Sequence, residues 1–280
     1  MKAEHSIELM CRALKVSRSG FYEWRGRPVL EKAERIELRG HIQRVFQDSR
    51  KTYGHRSIWD ALIKDGLRVG RKLILRLMKE MALIPGPWKP SPYSILKKAS
   101  EPKVCEHLLQ RNFSPPGLNQ VWTSDITYIW TRSGWSYLAI VLDLCSRKVI
   151  GWSVSDKPDT ALVISALSQA LVTRNYVRGG LMFHSDQGCQ YTSGEMCRFI
   201  RERGMVQSMS RRGQCWDNAP TESFFRTLKM ETGIAKAYLP GPAEVETVLF
   251  DWIETWYNLI RRHTFIGYCS PVEYEARWAA

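Results

Sequence analysis

The 280-residue chain lacks the signs of a secreted or membrane-embedded protein. Its seven cysteines are an odd number without a Cys-x-x-Cys pair, and no secretory segment stands at the start. We therefore expect it to fold without disulfides in a reducing cytoplasm. Its longest apolar stretch, around Leu138 to Leu142, is far too short to span a bilayer. The six scattered histidines lack the short, regular Cys and His spacings of a structural zinc site.

Positive charge is present in large excess and is unevenly distributed. The formal net charge is +13. Residues 1–118 contain 24 Lys and Arg against 12 Asp and Glu, whereas residues 119–280 contain 17 against 16. This asymmetry favours a polyanionic partner held by the front of the chain over a generic solvated surface. The hydrophobic content of 44% is enough to bury the core of one large or two modest domains.

Two helix-turn-helix units are predicted in the front part of the chain. The first occupies residues 1–30, where Ser17 is a candidate N-cap for a short second helix and Pro28 ends the unit. The second occupies residues 31–85 and begins with a long amphipathic stretch.

The last helix of the second unit, predicted over residues 71–81, is a candidate DNA-binding element. Its apolar residues recur at helical spacing, which leaves Arg71, Lys72 and Arg76 facing outward. An ordinary helical hairpin with a solvated basic face has the same pattern, so the segment alone does not decide between them.

After a proline-rich linker predicted at residues 86–115, the pattern changes from helical to β-rich. Three β-rich runs joined by short turns favour an antiparallel meander, and the alternating helices and strands that follow predict an α/β fold, a mixed sheet with helices on its faces. The predicted strands lie at 121–130, 135–144, 148–154, 181–183 and 205–209, and the predicted helices at 159–172, 194–203, 222–230 and 243–260.

Three acidic residues stand where such a fold can bring side chains together. Asp125 lies within the first strand, Asp186 follows the fourth, and Glu222 lies in the first turn of a helix. Clustered carboxylates in a basic protein indicate divalent metal ions acting on nucleic acid. Two Mg²⁺ or Mn²⁺ ions can activate an oxygen nucleophile, stabilise the leaving oxygen and neutralise charge on phosphorus. Taken singly, each acid has a plainer interpretation as a helix cap or a surface charge.

The sequence words around these acids, together with their spacing, resemble one family. Thirty-five residues separate Asp186 from Glu222, and Lys229 follows seven residues later on the same helix face. The chain resembles the DDE transposases of the retroviral-integrase type, most closely the second-reading-frame transposase of the bacterial insertion-sequence group that uses two overlapping frames. The matching motifs lie at 53–56, 76–78, 122–127, 134–139, 143–147, 151–152, 184–188, 190–191, 208–211, 217–219, 222–225, 228–229, 257–258, 262–263, 267–268 and 270–271.

The resemblance implies a ribonuclease-H-like catalytic domain at residues 116–276, with its core at about 119–235 followed by a C-terminal helical segment. It also implies Mg²⁺-dependent cleavage and joining of DNA strands at insertion-sequence ends. Carried over by position, Asp125, Asp186 and Glu222 are the metal-binding catalytic triad, and Lys229 contacts DNA beside them. The implied partners are the double-stranded DNA of element ends and target, further copies of the chain in the DNA complex, and an upstream-frame protein. The implied location is the bacterial cytoplasm, near the nucleoid.

Four more residues stand near the expected site. Arg211, Arg212 and Asn218 flank a glycine-containing loop and are interpreted as DNA contacts in preference to solvated loop residues. His184 has two interpretations: it orients a ligand or binds a phosphate, or it is structural.

Two other functions remain open from the sequence. One is a DNA-binding accessory subunit without chemistry of its own, because the active enzyme of this group is usually a frameshift fusion and no heptad run precedes the first helices here. The other is a ribonuclease-H-type nuclease acting on RNA–DNA hybrids, which uses the same metal chemistry on the same fold. The helix-turn-helix units and Lys229 favour the transposase.

Overall fold

The computed structural model describes residues 6–26, 33–86, 105–176, 179–235 and 239–279. The front part is all-helical, and the remainder is built on a mixed five-stranded sheet flanked by helices, which confirms the predicted fold class. Most of the predicted linker falls on residues 87–104, outside the described residues. None of the helices in the described ranges combines the length and apolar composition needed to cross a bilayer.

The front part contains five helices. Ser17 caps the second of them, as predicted, because its Oγ accepts the backbone N–H of Gly20 at 3.0 Å. In the fifth helix Ile74, Leu77 and Met78 are buried, so the basic residues between them face outward. The helices are α1 (Ile7–Ala13), α2 (Arg18–Gly26), α3 (Ala33–Asp48), α4 (His55–Lys64) and α5 (Arg71–Glu80).

The sheet combines an antiparallel meander with two parallel additions. Its strands are β1 (Val121–Thr131), β2 (Gly134–Asp143), β3 (Val149–Ser155), β4 (Met182–Ser185) and β5 (Val206–Met209). The strand order is β3-β2-β1-β4-β5. The pairs β1–β2 and β2–β3 are antiparallel, whereas β1–β4 and β4–β5 are parallel. The two parallel strands are only four residues long, and β4, which neighbours β1, covers only its beginning.

Helices pack on both faces of the sheet. On one face α6 covers β2 and β3, and its first turn is capped by Asp159, whose carboxylate accepts the N–H of Leu162. The other face carries α9, α10 and three of the front helices, α3, α4 and α5, which share one apolar cluster with β1 and β2. The helices of this part are α6 (Thr160–Thr173), α7 (Cys189–Thr192), α8 (Gly194–Glu202), α9 (Ala219–Thr232), α10 (Pro242–Phe250) and α11 (Pro271–Ala279).

The predicted single helix over 243–260 is wrong in one respect. It is α-helical only to Phe250, and residues Asp251–Tyr257 continue as a π-helix. Wider turns of this kind bring residues five apart onto one face, and the rings of Trp252 and Tyr257 accordingly lie 5.0 Å apart. The indole N–H groups of Trp252 and Trp256 both donate to Glu231, at 3.1 and 3.2 Å. All three aromatic residues of this segment are thereby buried.

The front helices dock on this π-helical segment. The ring of Tyr53 lies 6.1 Å from that of Trp256, and its hydroxyl accepts the backbone N–H of Arg262 at 3.0 Å. Two ion pairs flank the contact, Arg50 with Asp251 at 2.7 Å and Arg262 with Asp60 at 2.6 Å. The buried ring contact, with charges at its rim, joins the helix-turn-helix unit to the sheet-containing part.

Gly151 permits the closest helix-to-sheet approach in the described core. It lies in β3 beside a register shift opposite Val141 and Leu142. A Cβ at this position would stand 2.2 Å from the carbonyl oxygen of Ala166 and 2.7 Å from the backbone nitrogen of Ala170, both on α6. Only glycine allows the backbone of α6 to rest against β3 here.

We expect Gly151→Ala to lower the free energy of unfolding by at least about 1–3 kcal/mol, because the clash is with backbone atoms that cannot move independently. Gly40→Ala is the matched control. Gly40 lies within α3, where an added Cβ would meet nothing within 4 Å, so the substitution should stabilise by about 0.5–1 kcal/mol. Urea unfolding followed by circular dichroism measures both. Equal stability of Gly151→Ala and the parent protein would contradict this packing.

Candidate active site

The site lies on β1 at the point where its pairing with β4 ends. The parallel strand β4 pairs with β1 only from Val121 to Thr123, so the edge of β1 is unpaired beyond that point within the described sheet. Asp125 lies just past this point, at mid-strand as predicted, opposite Ile140 of β2. The short β4 therefore opens room for charged groups beside a central strand.

Asp186 stands at the end of β4, as predicted, and is exposed. Its Oδ1 accepts the N–H of Gly188 at 3.0 Å. A Cβ on Gly188 would itself lie 3.0 Å from that oxygen and 2.9 Å from Gln190 Oε1, so a larger residue would crowd the turn. Gln187 donates to the carbonyl of Ser210 at 2.8 Å, which ties the turn to the end of β5.

Glu222 lies in the first turn of α9, as predicted, and the start of this helix is stapled to β1. The Asn218 amide donates to the carbonyl of Ser124 at 3.3 Å and accepts from the Thr221 hydroxyl at 2.8 Å. The same hydroxyl lies 3.0 Å from that of Thr123. These contacts hold the start of α9 beside Ser124, the residue before Asp125 on β1.

The electrostatics of Asp125 show the proximity of the three acids. Burial raises its pKa well above the ordinary value, and the charges of Asp186 and, more weakly, Glu222 raise it further. The N–H of Ile126, which donates to Asp125 Oδ1 at 2.7 Å, and the charge of Lys229 oppose the rise in pKa. Burial likewise raises the pKa of Asp186, although part of that residue reaches solvent. Protonation thus relieves part of the repulsion.

Lys229 projects from α9 toward the acids. Its pKa is lowered by burial, against the opposing effect of Asp125. Its Nζ lies 5.0 Å from the centre of the Tyr128 ring, a cation–π distance. The ammonium group is therefore held between the carboxylates and an aromatic ring on β1.

The chemistry of the donor set fits hard divalent cations, which prefer carboxylate oxygens. In the arrangement described, however, no three acidic, His or Cys side chains among the residues that the structure covers converge into a ready coordination set. Two of the acids instead accept backbone N–H groups, Asp125 from Ile126 and Asp186 from Gly188. The carboxylates are within electrostatic range of one another without sharing a centre.

A fourth carboxylate, Asp217, organises the loop before α9. It has no accessible surface, and it accepts hydrogen bonds from Arg111 at 2.6 Å and from both the side chain and the backbone N–H of Arg211. His107 Nε2 lies 3.7 Å away. These hydrogen bonds, that of the Arg211 side chain foremost, hold the pKa of Asp217 well below its usual range. The charged group joins the segment around 105–111 to the loop that carries Asn218.

Asn218 and His184 are buried, and for Asn218 this contradicts the expected DNA contact. Both ends of its amide are used inside the protein, so it positions the start of α9. His184 lies between Ser208, Ser210 and the carbonyl of Asp217, and burial lowers its pKa to about 4. It is a neutral structural residue, the second of its two sequence interpretations.

Among the other predicted DNA contacts Lys229 is half-buried, and the remaining five are exposed. Arg211 is held by Asp217, while Arg212 stands beside it on the exposed loop. On α5, Arg71, Lys72 and Arg76 face outward, and the guanidinium of Arg71 lies 5.1 Å from the ring of Trp59. DNA contact by these residues stays a prediction.

Sequence reasoning missed several residues that support the site. Tyr191 is fully buried beside the acids, its hydroxyl 2.8 Å from that of Ser124, and burial raises its pKa well above the ordinary value. Arg111 and His107 reach Asp217 across about a hundred positions of sequence. No local pattern signals such a contact, since charged residues in a loop usually face solvent.

Comparisons with known proteins give one consistent family. The model of the integrase core domain matches residues 115–215, a second integrase core model matches residues 203–271, and the model of an HTH-like domain matches residues 32–88. The chain is 38% identical over 279 residues to transposase InsF of insertion sequence IS3A from Escherichia coli K12, which covers 98% of this chain and 95% of that protein. It is 34% identical over 270 residues to a 31 kDa protein of insertion element IS600 from Shigella sonnei, covering 96% and 98%.

The solved structures that align with this one include two from retroviruses. The simian T-cell lymphotropic virus intasome, in complex with the B56 gamma regulatory subunit of PP2A, aligns with a TM-score of 0.47 at 15% identity, covering 72% of this chain and 68% of that chain. The HTLV-2 integrase catalytic core in complex with magnesium aligns with a TM-score of 0.41 at 18% identity, covering 55% and 95%.

We expect Asp125→Asn to raise the thermal stability of the protein in EDTA at pH 8. Because its folded pKa is raised, Asp125 keeps a proton in the folded state at pH values where the unfolded chain has lost it. Wild-type stability therefore falls as pH rises through this window. The asparagine removes the cost of a buried, ionised carboxylate. The melting temperature should therefore rise by at least the 2–4 °C that about 1 kcal/mol produces in a large domain.

The gain should shrink as pH is lowered through the raised pKa, because the wild-type carboxyl is then neutral as well. Asp156→Asn, in the exposed loop after β3, is the control and should show no such pH-dependent gain. If Asp125→Asn were less stable than the parent at pH 8, this would contradict the claim that the ionised Asp125 destabilises the fold.

We expect Asp217→Asn to lower the free energy of unfolding by about 1–3 kcal/mol, because Arg111 and Arg211 then lose a buried anion. Asp251→Asn is the matched control, since its pair with Arg50 is largely exposed and should contribute less than about 1 kcal/mol. Chemical denaturation of both variants measures the difference. A cost for Asp217→Asn no larger than that of the control would refute the organising role of Asp217.

Proposed function

Because the chain belongs to the transposase family of the IS3 insertion sequences, we propose that Asp125, Asp186 and Glu222 carry its cleavage and joining of DNA strands. Polynucleotidyl transfer is the activity of this family. The observation that carries the assignment of the residues is their placement: Asp125 lies on β1 beyond the end of its pairing with β4, Asp186 ends β4, and Glu222 lies in the first turn of α9, whose start is bonded to Ser124. The raised pKa of Asp125, whose causes include both other acids, agrees with this placement. Only carboxylates held close together influence one another in this way.

The proposed cofactor is Mg²⁺ or Mn²⁺, in two sites held by the three acids. When bound, such ions would activate the attacking oxygen, stabilise the leaving 3′ oxygen and neutralise charge on phosphorus. The acids must be ionised to serve as ligands, so Asp125 has to lose the proton that its surroundings favour. We expect the carboxylates to turn from their backbone N–H partners and converge when cations offset their repulsion.

The basic groups around the acids are proposed to place the DNA. Lys229, held beside Asp125, is suited to a phosphate next to the reacting one. Arg211 and Arg212 extend the positive charge along the loop before α9. On the docked helix-turn-helix unit, Arg71, Lys72 and Arg76 are proposed to contact DNA further from the reaction.

The proposed organisation follows the sequence boundaries: an arm at 1–30, the helix-turn-helix region at 31–85, a linker at 86–115 and the catalytic domain at 116–276. The contact of Tyr53 with Trp256 supports the joint action of the second and fourth of these units. The proposed partners are element-end and target DNA, further copies of the chain on that DNA, and an upstream-frame protein.

We expect Asp125→Asn and Glu222→Gln to reduce Mg²⁺-dependent strand joining by at least about a thousandfold, because several kcal/mol of charge stabilisation are lost. Retention of DNA in a gel-shift assay should be largely unchanged. Joining of labelled element ends, with and without the upstream-frame protein, is the measurement. Asp156→Asn is the matched exposed control and should join as the parent does. Undiminished joining by either triad variant would overturn the assignment.

Thermal stability in the presence of Mg²⁺ gives a second measurement that does not depend on strand joining. Mg²⁺ should raise the melting temperature of the parent protein, because a ligand of the folded state alone stabilises it. The same addition should leave Asp125→Asn unchanged. Equal stabilisation of the two proteins would place the cation elsewhere.

A further inference from the structure

Three aromatic side chains stand exposed together on the hairpin formed by β1 and β2. They are Tyr128, Trp130 and Trp135, and between 43% and 46% of each is accessible. Tryptophan is highly buried on average, and an exposed cluster of large apolar groups marks an interaction surface. We call these three residues the aromatic platform.

Cross-strand contacts orient the platform. Trp130 and Trp135 are directly opposite one another in the β1–β2 register, with ring centroids 4.8 Å apart in an edge-to-face arrangement. The ring of Tyr128 lies 5.4 Å from that of Trp135, also edge-to-face. Such pairs stabilise a hairpin. They explain why the rings hold one orientation, but nearly half of each ring still faces solvent.

The hairpin tip is tied to the segment that follows the catalytic helix. The N–H of Arg132 donates to the carbonyl of Leu239 at 2.9 Å, and that of Ser133 donates to the carbonyl of Pro240 at 3.2 Å. These acceptors follow α9, which carries Glu222. The platform is therefore fixed from two sides, by β1 and by the end of the segment beyond α9.

The platform begins beside the acids. Lys229 interacts electrostatically with Asp125, and its Nζ lies 5.0 Å from the centre of the Tyr128 ring. Along β1, Tyr128 is three residues from Asp125 and Trp130 is five, or about 10 and 17 Å at the rise of a strand. This odd spacing places both rings on the other face of the strand from Asp125, and the two faces meet at the edge of β1 that β4 leaves unpaired. A stacked nucleic-acid strand advances about 3.4 Å per nucleotide, so a strand that passes around this edge spans at least about three to five nucleotides between the carboxylates and the rings.

We propose that the aromatic platform stacks on unpaired bases of the DNA strand that leads into the carboxylate site, with Lys229 on the intervening phosphates. This proposal rests on the proposed function. Aromatic rings alternating with cations are the pattern that binds single-stranded nucleic acid without reading its sequence. The cation at the inner end of the platform favours a polyanion over an apolar protein surface, and the distance to the acids confines the contact to bases near the reacting phosphate.

The first test scans the position of the contact. Asp125→Asn protein, which is expected to bind DNA without cutting it, is mixed with a synthetic duplex that ends in a short single-stranded 3′ tail. One tail base at a time is replaced by the fluorescent base 2-aminopurine, whose emission is quenched by stacking. We expect quenching at one or two adjacent positions of the tail and none in the distant duplex.

The second test removes the rings. In the Asp125→Asn background, Trp130→Thr and Trp135→Thr keep a strand-forming residue while removing the stacking surface. Each should weaken binding to the tailed duplex by about fivefold to a hundredfold, the range expected for one stacked base, and should abolish the local quenching. Binding to a blunt duplex should be unchanged. Trp278→Thr, on α11 and 49% exposed, is the matched control and should leave all three readouts unchanged.

Several results would overturn the proposal. Folded threonine variants that bind the tailed duplex as tightly as the parent would overturn it. Variants that lose self-association in sedimentation but still bind the single-stranded tail would overturn it as well. If the variants fail to show cooperative unfolding, the scan of the Asp125→Asn protein decides, since it leaves the platform intact: uniform or absent quenching rejects the contact. Failure of the proposed function is seen separately, as strand joining by Asp125→Asn.

Discussion

Mutual repulsion among Asp125, Asp186 and Glu222 is the constraint on which the rest of this structure depends. Burial and the neighbouring charges raise the pKa of Asp125, so the fold keeps a costly group at mid-strand. A carboxylate held against this cost binds a cation more strongly than a relaxed one, because the cation removes the repulsion. The shortness of β4 makes the arrangement possible, since a full-length neighbour would cover the edge of β1.

Networks of neutral and oppositely charged groups hold the acids in place. Ser124 contacts both Tyr191 and Asn218, which fixes β1 against the turn after β4 and the start of α9. Asp217 stabilises the loop before α9, where it forms ion pairs with the guanidinium groups of Arg111 and Arg211. The acid whose pKa is lowered is thus structural, whereas Asp125, whose pKa is raised, is the acid that we propose for the chemistry.

The fold and the positions of the three acids on their elements could be predicted because their signals are local. Alternating β-rich runs mark β1 to β3, and Asp125, Asp186 and Glu222 each stand at a recognisable place on one element. The other features depend on distant partners. Arg111 reaches Asp217 across about a hundred residues, and Asn218 resembles any polar loop residue until its contact with β1 is known. The four-residue spacing of Trp252 and Trp256 also fits an ordinary α-helix, so the π-helix was not foreseen.

Metal-directed cleavage of the protein itself tests most directly whether the three acids form one cation site. Fe²⁺ is added in place of Mg²⁺ with ascorbate and peroxide, and the hydroxyl radicals formed at the bound ion cut the nearest backbone. We expect three groups of cuts, around residues 125, 186 and 222, that are suppressed by excess Mg²⁺ and that all disappear in Asp125→Asn. Cuts near only one of the acids, or an Asp125→Asn protein that keeps the other two groups, would contradict a shared site.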